Sequence, residues 1–288
     1  MTSTRSERLP GIPVYFSPAM VVSADQGLSP SAGKPAAAVD SWQRLGLALS
    51  PVEPNPVSRQ DLARAHDPGY VDGILSRRLR NGFGDTSAEV AASLPFTTGA
   101  MLAAAREAIR NRAVAVAPCS GFRHAGHAEA FGFCTFNGLM VTALALRAAG
   151  QARRVGILDF DQHYGDGTDQ IIERLHIDWI VHHTEGREYR CEEDAAPFLA
   201  RIAGIVATMR DCDVILYQAG ADPHIDDPLG GWLTTAQLFE RDRRVFEAAR
   251  HLGVPIAWNL AGGYQTPLRK VLDIHDNTMR AYAAMYLQ

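Results

Sequence analysis

The segment Asp159-Phe160-Asp161-Gln162-His163-Tyr164-Gly165-Asp166-Gly167 closes the apolar run 154–160, RVGILDF, and leads into the helical pattern 167–175. An apolar strand thus ends in a turn that carries carboxylates, an imidazole and two glycines. Asp161 and His163 flank Gln162, so in extended backbone their side chains point the same way. One carboxylate and one imidazole on one face make half of a mixed nitrogen and oxygen zinc site. A plainer reading is a strand end whose acids cap the following helix, with Asp166 capping near Thr168.

Working outward, helix and strand patterns alternate along the chain. Helices are expected over Tyr70–Arg80, Thr98–Arg112, Asn137–Ala149, Gly167–Leu175, Pro197–Arg210, Thr235–Leu252 and Thr266–Leu287. Strands are expected over Ala113–Ala117, Arg154–Phe160, Trp179–His182, Asp213–Gln218 and Val254–Leu260. The segment Ser29–Ala38 reads as a loop that runs into a helix. Such alternation implies an α/β fold, a mostly parallel sheet with helices on both faces, whose ligands sit beyond the C-terminal ends of the strands. The polar clusters Cys119–His127, Asp159–Asp166, Ala219–Asp227 and Ala261–Gln265 all fall at those ends.

Composition narrows the function classes. The 288 residues are 47% hydrophobic and 21% charged, which predicts a large packed core in one catalytic domain over 1–288. The net charge of -4, with no basic stripe, argues against a nucleic-acid partner. The opening MTSTRSERLPGIPVYF lacks an apolar leader segment, and no apolar run is long enough to span a bilayer, so a cytoplasmic protein with no membrane partner is expected. The four cysteines, Cys119, Cys134, Cys191 and Cys212, form no CxxC pair. Any metal would therefore be held by His and carboxylate.

Three further strand ends carry candidate chemistry. In Gln218-Ala219-Gly220-Ala221-Asp222-Pro223, Asp222 would complete Asp161 and His163 as a three-ligand site with an open fourth position, the catalytic zinc pattern. Asp-Pro is also an ordinary turn signal. Ser120-Gly121-Phe122-Arg123-His124-Ala125 places His124 among small residues, where a polar loop histidine is the plainer reading. In Asn259-Leu260-Ala261-Gly262-Gly263-Tyr264, the glycines allow close backbone approach and present Tyr264, or simply make a turn with a packing tyrosine.

Together HDPGYVDGIL (66–75), GFRHA (121–125), GFCTFN (132–137), ILDFDQHYGDGT (157–168), GADPHIDDPLGGW (220–232), AGGY (261–264) and LDIHDNTMRAY (272–282) resemble the zinc-dependent histone deacetylase and acetylpolyamine amidohydrolase superfamily. The resemblance implies the arginase-deacetylase fold, with a central sheet of about eight strands. It implies one Zn2+ per chain on Asp161, His163 and Asp222, and hydrolysis of an acyl amide. It makes His124 the proton-transfer base, Asp166 its orienting carboxylate and Tyr264 the catalytic tyrosine. Asp159 falls on the carboxylate that normally pairs with a first histidine. Gly132, Phe133 and Gly262 fall on substrate-lining positions, and Asp85 on a rim carboxylate. A structural K+ near Asp159 and Asp161 is a further expectation, although the Ser-bearing strand end that completes it in the family is His182-His183 here.

Three departures matter. Arg123 replaces the first of the two adjacent histidines, a permanent cation expected to pair with Asp159 behind the metal and to disfavour protonation of His124. The segment between His163 and Asp222, containing HHTEGREYRCEEDAAPFL, is shorter than usual, and SPSAGKP stands at the usual HPERP start. The shortened segment directs the expectation to a small acylated amine, polyamine or acyl-lysine substrate. The acids of Glu185–Asp194 would favour a cationic one if that segment folds over the mouth. The alternatives are an arginase-like binuclear manganese ureohydrolase, disfavoured by Gly165 where a second-metal carboxylate belongs, and a non-catalytic acyl-ligand sensor, suggested by Arg123.

Overall fold

The computed structural model describes residues 11–22 and 29–287; residues 1–10, part of the opening stretch read above for a leader, lie outside them. Seven strands form one sheet: β1 (Ile12–Tyr15), β2 (Leu49–Val52), β3 (Val114–Val116), β4 (Val155–Asp159), β5 (Ile180–Thr184), β6 (Val214–Gln218) and β7 (Ile256–Asn259). Their order is β2-β1-β3-β7-β6-β4-β5, and every pairing is parallel. The helices are α1 (Lys34–Gln43), α2 (Arg59–Leu62), α3 (Pro68–Leu75), α4 (Ala88–Asn111), α5 (Gly138–Ala148), α6 (Asp166–Arg174), α7 (Ala195–Ala207), α8 (Thr235–Leu252) and α9 (Arg269–Tyr286).

The central strands read as continuous apolar runs because both sheet faces are covered. Ile215 and Tyr217 of β6, with Ile256 and Trp258 of β7, pack in the core that contains Phe198, Phe246 and Val271. The intervening Val214, Leu216 and Ala257 join Val155 and Ile157 in the opposite core, with Met101, Leu139 and Ile171. β3, β7, β6 and β4 are consecutive neighbours in the sheet, so the four loops singled out in the sequence emerge side by side at one edge.

The sheet has seven strands among the described residues, in keeping with the expected parallel sheet of about eight. Several expectations shift. β1 and β2 lie outside the patterns read in the sequence; β2 is an edge strand of four residues carrying Pro51, which a central strand would exclude. The helix expected from Thr98 begins at Ala88, capped by Ser87, and runs through Pro95. α3 stops at Leu75, short of Arg80, where the chain turns through Arg77 with a φ of 62°. α8 spans the residues expected of it. No helix among the described residues is long and apolar enough to cross a membrane.

His66 ties α3 to the loop after β3. Its Nδ1 lies 2.9 Å from the Gly126 carbonyl and its Nε2 accepts from Asn137 N at 2.9 Å, so the buried ring is neutral and satisfied. Burial lowers its pKa to about 4, below the unfolded value of about 6.5. A depressed value stabilises the fold above pH 6.5, and that contribution is lost as pH falls toward 4. The loss amounts to about 3 kcal/mol, so His66→Asn should flatten the fall in unfolding free energy between those pH values. Denaturant titrations at a series of pH values check this; an unchanged slope would show that His66 does not drive acid unfolding.

Candidate active site

Asp161, His163 and Asp222 come together at the sheet edge, each with one ligand atom within 4.8 Å of the others. Strand alternation does not cause this convergence. β4 ends at Asp159, and residues 161–163 form a bend in which His163 N donates to Asp161 Oδ1 at 3.0 Å. Asp161 Oδ2 accepts from Gly262 N at 2.7 Å, and Asp222 Oδ1 accepts from Gln162 N at 3.2 Å. Both carboxylates are buried, and His163 Nδ1 lies 3.2 Å from Asp222 Oδ2 and 3.4 Å from Asp161 Oδ1. Hydrogen bonds to Asp161 and Asp222 push the imidazole up to about 10. Two carboxylates and an imidazole are the donor set of a catalytic zinc site, and they fit a divalent cation.

A Cβ on Gly262 would sit 2.1 Å from Asp222 Oδ2 and 2.6 Å from Asp161 Oδ2. Gly262→Ala should therefore push both carboxylates apart and abolish metal uptake while the sheet stays folded. Metal titration beside circular dichroism checks this; unaltered uptake would show that the loop yields more easily than the carboxylates.

Arg123 departs from its expected partner. Its Nη2 forms an ion pair with Asp161 Oδ1, not Asp159, and lies 3.3 Å from His163 Nδ1 and 3.9 Å from Asp222 Oδ2. The cause is the bend at 161–163: Nε donates to the His163 carbonyl at 3.0 Å, which carries the guanidinium forward into the three side chains. Asp159 is left buried, with Oδ1 accepting from Asp161 N at 3.2 Å and Oδ2 without a hydrogen-bond partner. Burial raises Asp159 to about 6 although Arg123 opposes the rise. Burial also raises Asp161, but Arg123 and the His163 hydrogen bond outweigh it and hold the carboxyl well below its usual range.

His124 Nδ1 lies 2.6 Å from Asp166 Oδ1. Asp166 therefore spends its side chain on His124, and α6 starts without a side-chain cap. Burial and then Arg123 lower the His124 pKa against the opposing pull of Asp166. Gly132 packs against that ring, since a Cβ there would come 2.7 Å from His124 Cδ2. The Phe133 ring stands 5.8 Å from the buried Tyr264 ring. Burial, Asp222 and Asp161 raise the Tyr264 phenol, so it stays protonated. Asp85 makes local bonds instead: its Oδ1 accepts from Asn81 Nδ2 at 2.6 Å and Ser87 N at 2.8 Å. In the region expected to hold K+, His182 Nδ1 turns to Asp169 at 2.7 Å, while its buried Nε2 has no partner.

Three residues that support the site went unread in the sequence. Lys34 is fully buried and its Nζ donates to the carbonyls of Ala261 at 2.7 Å and Gly262 at 3.2 Å, beneath the loop that carries Tyr264. A lysine in the first turn of a helix opposes the helix dipole, the one signal that it was needed elsewhere. Arg241, also buried, donates through Nη1 to the Phe160 carbonyl at 3.0 Å and the Gly220 carbonyl at 2.7 Å, joining the loops after β4 and β6. Asp227 accepts from Tyr264 N at 2.8 Å.

Three acids of the segment after β5 make local bonds. Glu185 pairs with His183, Glu188 with Arg201, and Asp194 accepts from Arg190 N at 2.8 Å. Glu129 and Asp166 are the acids that line the open cavity beside His124, about 450 Å³ in volume, together with Phe131 and Gln170.

A sequence profile of the histone deacetylase domain matches residues 31–202 and 192–279, and the chain belongs to this family of deacetylases. It is 26% identical over 256 residues to an uncharacterized protein of Picosynechococcus, covering 81% of this chain and 85% of that one. Histone deacetylase 6 of Caenorhabditis elegans is 29% identical over 187 residues, which cover 54% of this chain and 19% of the nematode protein. Chloroplastic histone deacetylase 10 of Oryza sativa is 27% identical over 281 residues, 79% of this chain and 61% of its own length. The fold is similar to the HD domain of HDA15, with a TM-score of 0.79, 20% identity and coverage of 96% and 90% of the two chains. It is also similar to acetylpolyamine aminohydrolase of Burkholderia pseudomallei, with a TM-score of 0.70, 19% identity and coverage of 95% and 99%.

Proposed function

We propose that this chain is a zinc-dependent amidohydrolase that cleaves the acyl amide of a small acylated amine. The observation that carries the reading is the convergence of Asp161, His163 and Asp222 at the sheet edge, beside the His124–Asp166 pair. The family match supports the reaction class. A zinc ion held by the three side chains would polarise the amide carbonyl and lower the pKa of water toward about 7.

The other steps belong to the chain itself. His124 donates its Nδ1 hydrogen to Asp166, which leaves Nε2 free to take a proton from the attacking water. Its lowered pKa keeps it neutral and able to accept. The same nitrogen then returns the proton to the departing amine. Water and amide thus become carboxylic acid and amine without another reactant. Tyr264 donates its O–H to the oxygen that gains charge. Asp159 holds the Asp161 backbone in place, and Gly132 and Phe133 form the wall beside His124 and Tyr264.

Glu129 favours a cationic amine, such as an acylpolyamine or acyl-lysine, whose ammonium would sit in the cavity beside His124. A panel of acylated polyamines, acyl-lysines and neutral acyl-alkylamines, assayed with zinc-loaded protein, tests both claims. Cationic substrates should turn over best. Glu129→Gln should raise their KM about two- to fivefold and leave neutral substrates unchanged. Equal effects on both substrate types would remove the charge argument, and no turnover of any amide would favour the second reading. That reading is a non-catalytic acyl-ligand sensor, supported by the contact of Arg123 with Asp161. An arginase-like binuclear site has less behind it, since the one convergent ligand group found among the described residues is the trio itself.

A further inference from the structure

Arg123 helps keep His124 neutral but touches none of the reacting atoms, yet it occupies the middle of the site. Its side chain is 2% exposed. Asp161 Oδ1, His163 Nδ1 and Asp222 Oδ2 all face the same Nη2, through the ion pair and the distances of 3.3 and 3.9 Å. The same three side chains are the ones that would hold a cation. A guanidinium cannot lose its proton to make room. Together with the His163 imidazole it answers the charge of two buried carboxylates, where an unpaired buried charge would be costly. With a divalent ion present, two cations face the same lone pairs.

We propose that Arg123 is a built-in cation of the Asp161–His163–Asp222 cluster, which keeps the three ligands assembled without metal and competes with the divalent ion for them. This deepens the metallohydrolase reading and rests on it. The chain then folds stably without metal, and the share of loaded protein follows the free zinc level. Replacing Arg123 by a residue without charge relieves the competition. Such a change should tighten zinc binding by about 10- to 100-fold, the range that residues neighbouring metal ligands command.

The test titrates zinc into the metal-stripped full chain against a chromophoric chelator, for wild type, Arg123→His and Arg123→Gln, with melting curves of each protein before and after zinc. Both variants should bind zinc at least tenfold more tightly. They should melt below wild type when stripped and gain more from added zinc. Equal zinc affinity in all three proteins would overturn the proposal and leave the metallohydrolase reading standing. Stripped variants as stable as wild type would overturn the assembly role. Zinc binding by none of the three would overturn both the proposal and the reading beneath it. Tight zinc binding by the variants with no amide turnover by any protein would support the proposal and count against hydrolysis alone.

Discussion

Tyr264→Phe is expected to keep its fold and its zinc and to lose about 100- to 1000-fold in turnover, the usual cost of one oxyanion donor. The substitution removes only the hydroxyl. The ring stays packed beside Phe133 at 5.8 Å, and the backbone N–H still donates to Asp227 at 2.8 Å. The loss should fall on kcat, because the hydrogen bond strengthens as charge develops on the substrate oxygen. Steady-state kinetics on zinc-saturated protein check it. A rise in KM with kcat unchanged would make Tyr264 a binding residue.

Asp161→Ala is expected to be the most damaging change in the metal-free protein. Asp161 is buried, with Oδ1 paired to Arg123 and Oδ2 accepting from Gly262 N at 2.7 Å. The alanine leaves the buried guanidinium without its carboxylate, which typically costs about 3–5 kcal/mol. His163→Ala should cost less before metal is added, because Asp161 keeps its Arg123 and Gly262 partners and the His163 side chain is 34% exposed. Denaturant unfolding of the stripped variants gives the comparison. Equal losses at the two positions would show that Arg123 finds another partner when Asp161 is gone.

What the sequence disclosed and what it concealed divide along physical lines. Strand ends are visible because apolar runs stop at glycine and carboxylate, and consecutive loops at such ends must share one edge of a parallel sheet. That logic brought Asp161, His163, Asp222, His124 and Tyr264 to the same place. Interactions set by the path of a bend were not visible. The turn at 161–163 sends Arg123 to Asp161, where pairing by family pattern pointed to Asp159. Lys34 and Arg241 bind backbone carbonyls far away in the chain, and carbonyls leave no mark in a sequence. Charge runs show the same limit. The acids of 185–194 count as a patch by composition, yet Glu185 and Glu188 are committed to His183 and Arg201. Glu129, unremarkable in the sequence, faces the cavity beside His124.

The central claim is metal-dependent hydrolysis of an acyl amide at the trio. Its most direct test titrates zinc into stripped protein while acetate release from an acetylated amine is followed. Activity should rise from baseline, level off at one zinc per chain and vanish again with chelator, and Asp222→Ala should stay at baseline throughout. Acetate release at full rate before any zinc is added, or none from protein saturated with one zinc per chain, would contradict the account.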